Sequence, residues 1–288
     1  MSRLLHRMIR MDRTQVVITL LLVVFGVFMV LPLLFIFNNA FKPRSELFIF
    51  PPTLFVREPT WANFAALSRI TEDSIVPFSR YLFNSIAVSV SGTLAVLLIS
   101  ALCAYALSKH SFPGRNLLFA AIILSLMFVQ EAVQIPTYIL VSELGMMNSY
   151  WAHLLPHIAS PVGVFLMKQF IDQIPNELIE AGKIDGAREF SIIMRIVLPV
   201  AMPAVATSAI LQFQTIWGDP NTSILFMQDD TMKTLPYFMS TLISASANSV
   251  ARQGAAAAAV LILFVPTLLI FLVFQRKVIA TMAHSGLK

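Results

Sequence analysis

Long uninterrupted runs of apolar residues dominate the hydrophobic pattern of this 288-residue chain. The first run, from Gln15 to Phe37, contains no charged residue and is about long enough to cross the core of a bilayer as a helix. Five further runs of helical length follow at about 82–108, 114–133, 150–170, 200–218 and 255–275. An outer-membrane barrel would show short alternating stretches instead. The pattern therefore predicts an all-α membrane protein with six transmembrane helices.

Polar stretches between these runs predict how the chain is organised. The segment after the first run contains several prolines and is too short for a core of its own, so we expect a cap or a set of short helices. The predicted regions are a cytoplasmic N-terminus at 1–14, a first transmembrane helix at 15–38, an external segment at 39–80, a membrane core at 81–276 that includes a cytoplasmic loop at 172–199, and a cytoplasmic tail at 277–288.

Composition and charge support this interpretation. Hydrophobic residues make up 57% of the chain and charged residues only 12%, about half the charged fraction of a soluble domain. This excludes an ordinary soluble enzyme and a disordered protein. Thirteen Lys and Arg residues fall in segments predicted to be cytoplasmic and seven in external ones, so the positive-inside rule places both termini in the cytoplasm. The same rule explains the net charge of +5 without nucleic acid.

The cytoplasmic loop at 172–199 is the most charged part of the chain. Pro175 is placed to start a short helix, and Gly186 can supply the positive φ that ends it. Glu180 and Lys183 stand one turn apart on this helix. A predicted apolar stripe on another face consists of Leu178, Ala181, Ile184 and Ala187. Such a helix either lies on the membrane surface as a linker or docks in a groove of a partner protein.

Side chains that could line a transport pathway are few. Glu131 lies at the external end of the third run, and an acidic residue in a membrane is a functional candidate. Alternatively, Glu131 reaches external water and packs against a neighbouring subunit. The polar residues that we single out for a pathway are Gln130, Glu131, Gln134, Gln212 and Gln214.

No catalytic or metal-binding pattern is present in the sequence. The Gly182-Lys183-Ile184 stretch lacks the hydroxyl residue and the first glycine of a phosphate-binding loop. His153 and His157 are one helical turn apart, but no third ligand is nearby, so we expect no metal site. Cys103 is the only cysteine, which excludes an intrachain disulfide. We therefore expect a transporter subunit that is not an enzyme.

The loop resembles a known signature. Glu180-Ala181, Gly186, nine residues to Ile196, and then Leu198-Pro199 resemble the EAA motif of binding-protein-dependent, type I ABC importer permeases. Asp185-Gly186-Ala187 is also similar to the motif. Gly182 departs from its third position, and a glycine there should weaken the helix by up to about 1 kcal/mol.

The resemblance extends over nearly the whole chain and is closest to the carbohydrate-uptake branch of the family, in particular to the smaller permease subunit of maltose-type transporters. Trp217-Gly218-Asp219 departs from the usual Trp-Asn-Asp of that branch. The stretches that carry the resemblance are Lys42-Pro43, Trp61 with Asn63, Asn84-Ser85, Tyr105 to Lys109, Phe112-Pro113-Gly114, Gln134-Ile135-Pro136 and Leu144-Gly145.

This resemblance implies a permease subunit in a bacterial or archaeal-type plasma membrane that forms a sugar pathway with a second permease. Two ATP-binding partner subunits would hold ATP and Mg, an extracytoplasmic binding protein would deliver the sugar, and this chain would bind no cofactor. The implied coupling residues are Glu180, Ala181, Gly182, Asp185, Gly186, Ala187, Ile196, Leu198 and Pro199.

Two alternatives stay open from the sequence. A stand-alone ion-coupled secondary transporter would show paired acids or a broken helix near the midplane of the membrane, and inverted repeats; we find none of these patterns. A permease of the same superfamily could also carry a solute that is not a sugar.

Overall fold

The computed structural model describes residues 13–51, 53–72, 76–246 and 250–285, and every regular element among them is a helix. Of the predicted N-terminus and tail, 1–12 and 286–288 lie outside the described residues. The α-helices are α1 (Arg13–Phe41), α2 (Arg44–Leu47), α3 (Ala62–Glu72), α4 (Phe78–Lys109), α5 (Arg115–Ser125), α6 (Gln130–Glu143), α7 (Tyr150–Ile158), α8 (Pro161–Ile171), α9 (Asn176–Ile184), α10 (Glu189–Ile192), α11 (Leu198–Val200), α12 (Met202–Trp217), α13 (Asn221–Phe226), α14 (Leu235–Ser246) and α15 (Val250–Ser285). A π-helix at Ile193–Val197 joins α10 to α11, and a 3₁₀-helix lies at Asp230–Met232.

Three helical segments are long and apolar enough to cross a membrane: Thr14–Phe41, Phe78–Lys109 and Gln253–Gln275. Three bent helix pairs also pass the test of length and composition when each pair is taken together. The total among the described residues is six if each bent pair is one span. The predicted class, an all-α protein with six membrane-crossing segments, is confirmed in this form.

The bends are the main difference from the sequence prediction. In place of a straight third span at 114–133, α5 and α6 meet at 112°, where the composition turns from apolar to polar at Gln130. In place of a straight fourth span at 150–170, α7 and α8 meet at 46°. Pro161 has no N–H to donate and holds the preceding residue extended, so a new helix starts there. Ser160 caps that helix by accepting from the backbone N–H of Gly163.

The chain divides into two compact units, and the first comprises the described residues up to 70 together with 242–261. Asn63 organises the end of α1 in this unit. Its buried amide donates to the carbonyl oxygens of Ala40 at 2.9 Å and Lys42 at 2.8 Å, which the end of a helix leaves without partners. A Cβ on Gly254 would lie 2.5 Å from Oδ1 of Asn63, so only glycine allows this approach.

Glu46 organises the polar segment that follows α2. Its carboxylate accepts from the backbone N–H of Arg57 at 3.1 Å and of Glu58 at 2.9 Å. Burial raises the pKa of the Glu46 carboxyl, but these two hydrogen bonds and the charge of Lys42 outweigh it and hold the pKa below its ordinary value. The segment therefore folds back on itself through an ionised carboxylate.

The second unit comprises the described residues of 71–241 and 262–288 and is built around α4. One face of α4 is buried at every third or fourth position and is rich in small residues, among them Ser89, Gly92 and Ala104. Small side chains let helix backbones approach closely, and close packing is what holds helices together in an apolar environment. The helices α8 and α12 pack against this face.

A polar cluster holds the chain segment at 231–235 against the start of α4. The fully buried amide of Asn84 donates to the carbonyl oxygens of Thr231 and Lys233, both at 2.8 Å, and its oxygen accepts from the hydroxyl of Tyr150 at 2.7 Å. The neighbouring Ser85 accepts from the backbone N–H of Leu235. Asn84 therefore satisfies three polar groups at once.

We expect Asn84→Asp to lower the free energy of unfolding by about 2 to 3 kcal/mol, because a carboxylate cannot donate to the two carbonyl oxygens. Tyr150→Phe removes one hydrogen bond and should cost about 1 kcal/mol. Thermal unfolding in detergent micelles measures both. Ser91→Ala, at an exposed position of the same helix, is the control. Equal unfolding temperatures for Asn84→Asp and Tyr150→Phe would contradict the proposed role of the amide.

Candidate functional site

The loop at 172–199 folds into a defined helix and turn. Helix α9 begins after Pro175, as predicted, and ends at Ile184. Gly186 has φ +78°, and its N–H donates to the carbonyl of Lys183 while the N–H of Ala187 donates to the carbonyl of Gly182. This pair of hydrogen bonds is a Schellman motif, which requires a left-handed residue at the position of Gly186. The predicted conformational role of Gly186 is thus present in the structure.

The face of α9 that packs against the protein differs from the predicted apolar stripe. The buried residues of α9 are Ile179 and Gly182, whereas Leu178 is 46% exposed and Ile184 is 85% exposed. A period of three residues drifts around a helix of 3.6 residues per turn, so it does not identify the buried face. Of the predicted stripe, only Ala187, beyond the end of α9, packs on the core.

Gly182 lies in close contact with the segment that follows α9. A Cβ at this position would lie 2.8 Å from Cδ1 of Ile196 and 3.5 Å from Cγ1 of Ile192. Both isoleucines belong to the return path from the loop to α12. The EAA motif has alanine at the position of Gly182. The glycine found here therefore lies at a close contact between α9 and the following segment.

The C-terminal end of α4 holds the loop through two residues, Tyr105 and Lys109. The hydroxyl of Tyr105 donates to Oε2 of Glu189 at 2.7 Å, and Nζ of Lys183 lies 2.8 Å from Oε1 of the same carboxylate. The amine of Lys109 donates to the carbonyl of Ile174. The ion pair is half exposed and contributes little, whereas the hydrogen bond from buried Tyr105 contributes about 1 to 2 kcal/mol. Lys183 thus pairs with Glu189, not with Glu180.

The remaining predicted loop residues are placed as follows. Glu180, Ala181 and Asp185 are exposed on α9 and at its end, and Glu180 makes no ion pair with any residue that the structure describes. Leu198 and Pro199 form the short α11, after which the chain turns into α12 at 86°. Apart from Lys183, the exposed charged side chains of α9 make no ion pair with the described residues.

Three of the five predicted pathway residues line one cavity of about 460 Å³ in the second unit. Gln130 and Gln134 lie on one face of α6, and Gln212 reaches the cavity from α12. Glu131 and Gln214 are exposed and are not among its lining residues. Gln214 follows Gln212 by two positions, which is a rotation of about 200° around the helix and points Gln214 away from the cavity.

His157 and Asp219 form a contact pair in the cavity wall. Nε2 of His157 lies 3.3 Å from Oδ2 of Asp219, and both side chains are buried. Asp219 also accepts from the backbone N–H of Asn221 at 2.8 Å and of Thr222 at 3.2 Å. Burial raises the pKa of the Asp219 carboxyl, but His157 and these hydrogen bonds outweigh it and lower the pKa. The carboxylate is therefore ionised and fully engaged.

Sequence reasoning missed several residues of this cavity. Thr137 extends the polar face of Gln130 and Gln134 by one turn, so a helical period of three to four in the polar residues could have identified it. His157 and Asp219 are separated by 62 positions, and no local pattern connects them. No group of three or more metal-ligating side chains occurs among the described residues.

Residues 14–282 match the family described as "Binding-protein-dependent transport system inner membrane component". The chain belongs to this family. It is 31% identical over 265 residues to the arabinooligosaccharides transport system permease protein AraQ of Halalkalibacterium halodurans, covering 90% of this chain and 91% of the relative. It is 30% identical to the sn-glycerol-3-phosphate transport system permease protein UgpE of Yersinia enterocolitica, with coverage of 92% and 94%.

A solved structure shows the same fold. A chain of a bacterial ABC transporter involved in the import of the acidic polysaccharide alginate superimposes with a TM-score of 0.76 at 20% identity, covering 92% of this chain and 98% of that one. The permease is thus a multi-pass membrane component of a transport system. A stand-alone ion-coupled transporter belongs to another class, so that alternative is removed.

We expect the effect of Gly182→Ala in the permease to depend on Ile196. Alanine favours the helix by about 1 kcal/mol, but its Cβ would collide with Cδ1 of Ile196. In an Ile196→Val background this atom is absent, so the same change should be stabilising. A double-mutant cycle of thermal unfolding measures the coupling. Ala181→Gly, at an exposed position, should cost the same in both backgrounds; additive effects of positions 182 and 196 would refute the contact.

We expect Glu189→Ala to lower the free energy of unfolding of the permease by about 1 to 2 kcal/mol, because it removes the acceptor of the Tyr105 hydroxyl. Tyr105→Phe should have a similar effect, and the double variant should be little worse than either one. Lys183→Met, which removes only the half-exposed ion pair, should cost less than about 1 kcal/mol. Chemical denaturation in mixed micelles tests this ranking. If Lys183→Met is the most damaging change, the ion pair dominates instead.

Proposed function

We propose that this permease and a second permease form the pathway of an ATP-driven importer for a sugar or oligosaccharide. The observation that carries the coupling part of this proposal is the two-sided helix α9. One side is fixed to the protein through Ile179, Gly182 and the contacts of Glu189, while the other exposes Leu178 and Ile184. Exposed apolar side chains on a rigid helix are the features of a docking surface.

The docking partner in this proposal is one of two ATP-binding subunits. Glu180 lies on the exposed side without an ion-pair partner among the described residues, so it is available to a cationic group of that subunit. ATP and Mg would be held by the two partner subunits, with no cofactor held by this chain. The loop would then lie in the cytoplasm, as would both termini, in agreement with the bias of Lys and Arg residues.

The sugar part of the proposal is supported by the named relatives and by the cavity. AraQ is a permease for arabinooligosaccharides, and the cavity presents amide and hydroxyl groups of the kind that bind sugar hydroxyls. An extracytoplasmic binding protein would deliver the sugar. UgpE serves sn-glycerol-3-phosphate, so a solute other than a sugar is the alternative outcome of a transport assay.

Coupling would follow from the way the loop is built. Closure of the ATP-binding subunits would displace α9, and the contact of Gly182 with Ile196 would pass the displacement to the π-helix, to Leu198-Pro199 and to α12. Because α12 carries Gln212 into the cavity wall, the displacement would reach the pathway.

We expect Ile184→Asp to reduce recovery of the ATP-binding subunits with a tagged permease at least fivefold. This side chain is 85% exposed, so its replacement should change the stability of the permease itself by less than about 0.5 kcal/mol. Co-purification of the assembled complex, followed by uptake of a radiolabelled oligosaccharide into proteoliposomes, measures the loss and its effect on transport.

The matched control is Leu54→Asp, an exposed apolar position on the external segment, which should leave recovery of the ATP-binding subunits unchanged. Full recovery and full transport in Ile184→Asp would show that this face of α9 is not the docking surface. If wild-type protein co-purifies with neither an ATP-binding subunit nor a second permease, the importer itself is the wrong assignment.

A further inference from the structure

The charge of the cavity is constrained by its lining. Among the described residues that line it, none is Lys or Arg, and its ionisable side chains are His157 and Asp219. Oδ2 of Asp219 lies 3.3 Å from Nε2 of His157, so any positive charge on the imidazole is balanced by an adjacent carboxylate. The wall that this chain provides therefore carries no net positive charge.

The carboxylate of Asp219 is already engaged within the chain. The two oxygens of Asp219 accept from two backbone N–H groups and contact His157, and the pair is buried. A carboxylate or phosphate of a solute would meet no cation on the cavity wall that this chain provides. Removing an ionised group from water without such a partner is strongly unfavourable.

The groups that remain available are uncharged. The amides of Gln130, Gln134 and Asn221 line the cavity and make no side-chain hydrogen bond within the part of the chain that the structure describes. An amide offers two donors and an acceptor, so each can serve a hydroxyl group that both donates and accepts. Phe128, whose ring is largely exposed, adds an apolar surface to the same cavity, which suits the C–H face of a sugar ring.

We propose that this cavity binds the neutral, hydroxyl-rich part of a glycan and selects against carboxylated or phosphorylated sugars. The proposal rests on the proposed sugar-import function and specifies the class of sugar. The volume of the cavity, about 460 Å³, lies in the range of about 300 to 1,000 Å³ that is usual for small-molecule sites. The proposed selectivity concerns the part of the pathway that this chain lines.

The test uses the complete importer, purified with both permeases and the ATP-binding subunits but without binding protein. The probes are radiolabelled arabinotriose and maltotriose, each compared with the form in which the terminal primary alcohol is oxidised to a carboxylate. Equilibrium binding should favour the neutral form at least tenfold. Gln134→Lys places a cation in the cavity and should reduce this preference at least fivefold. Gln134→Met adds no charge, so it should weaken binding of the neutral form without improving binding of the oxidised form.

Gln228→Lys adds the same charge at an exposed position outside the cavity lining and should leave the preference unchanged. Binding of the oxidised form as tight as that of the neutral form, or a preference that Gln134→Lys does not alter, would overturn the proposed selectivity. After either result, the proposed import function would still hold if proteoliposomes that contain the importer and the binding protein accumulate sugar. If the importer neither binds nor transports any of the four probes, the proposed sugar function is wrong. The proposed selectivity is then wrong as well.

Discussion

Close packing against one face of α4 is the constraint on which the second unit depends. A Cβ on Gly163 would lie 2.7 Å from Oγ of Ser100, and one on Gly92 would lie 3.0 Å from Cδ1 of Ile216. These distances leave no room for larger side chains, so α8 and α12 are held at fixed positions along α4. In apolar surroundings such packing and a few interhelical hydrogen bonds replace the hydrophobic effect. Asn84 near one end and Tyr105 near the other then fix the flanking loops.

The loop at 172–199 is part of this framework. Its helix ends in a Schellman motif, contacts the return segment at Gly182, and is tied to α4 through Glu189 and Lys109. Each contact lies on the inner side of the loop. Internal packing therefore leaves Leu178, Glu180 and Ile184 on the outer side, where the described part of the chain does not cover them.

Local patterns in the sequence predicted the parts of the fold that depend on local physics. The apolar runs located the membrane-crossing segments, and Gly186 was expected at a left-handed position. A proline such as Pro161 in an apolar run is compatible with either a kinked helix or two separate helices. The composition of the run does not distinguish the two. The buried face of α9 depends on its contact with Ile196, and the pairing of His157 with Asp219 depends on two distant helices meeting. Local periodicity contains none of this information.

The three glutamines of the cavity have different roles, which only their partners distinguish. Nε2 of Gln212 donates to Oγ of Ser160 at 2.7 Å, and Ser160 also caps α8. The amide of Gln212 is thus engaged in joining α12 to the break between α7 and α8, whereas the side chains of Gln130 and Gln134 on α6 make no hydrogen bond to another described residue. Since α12 directly follows the loop and α11, a displacement of the loop would pull on Ser160 through Gln212. The same residue would thereby connect the position of the loop to the shape of the cavity.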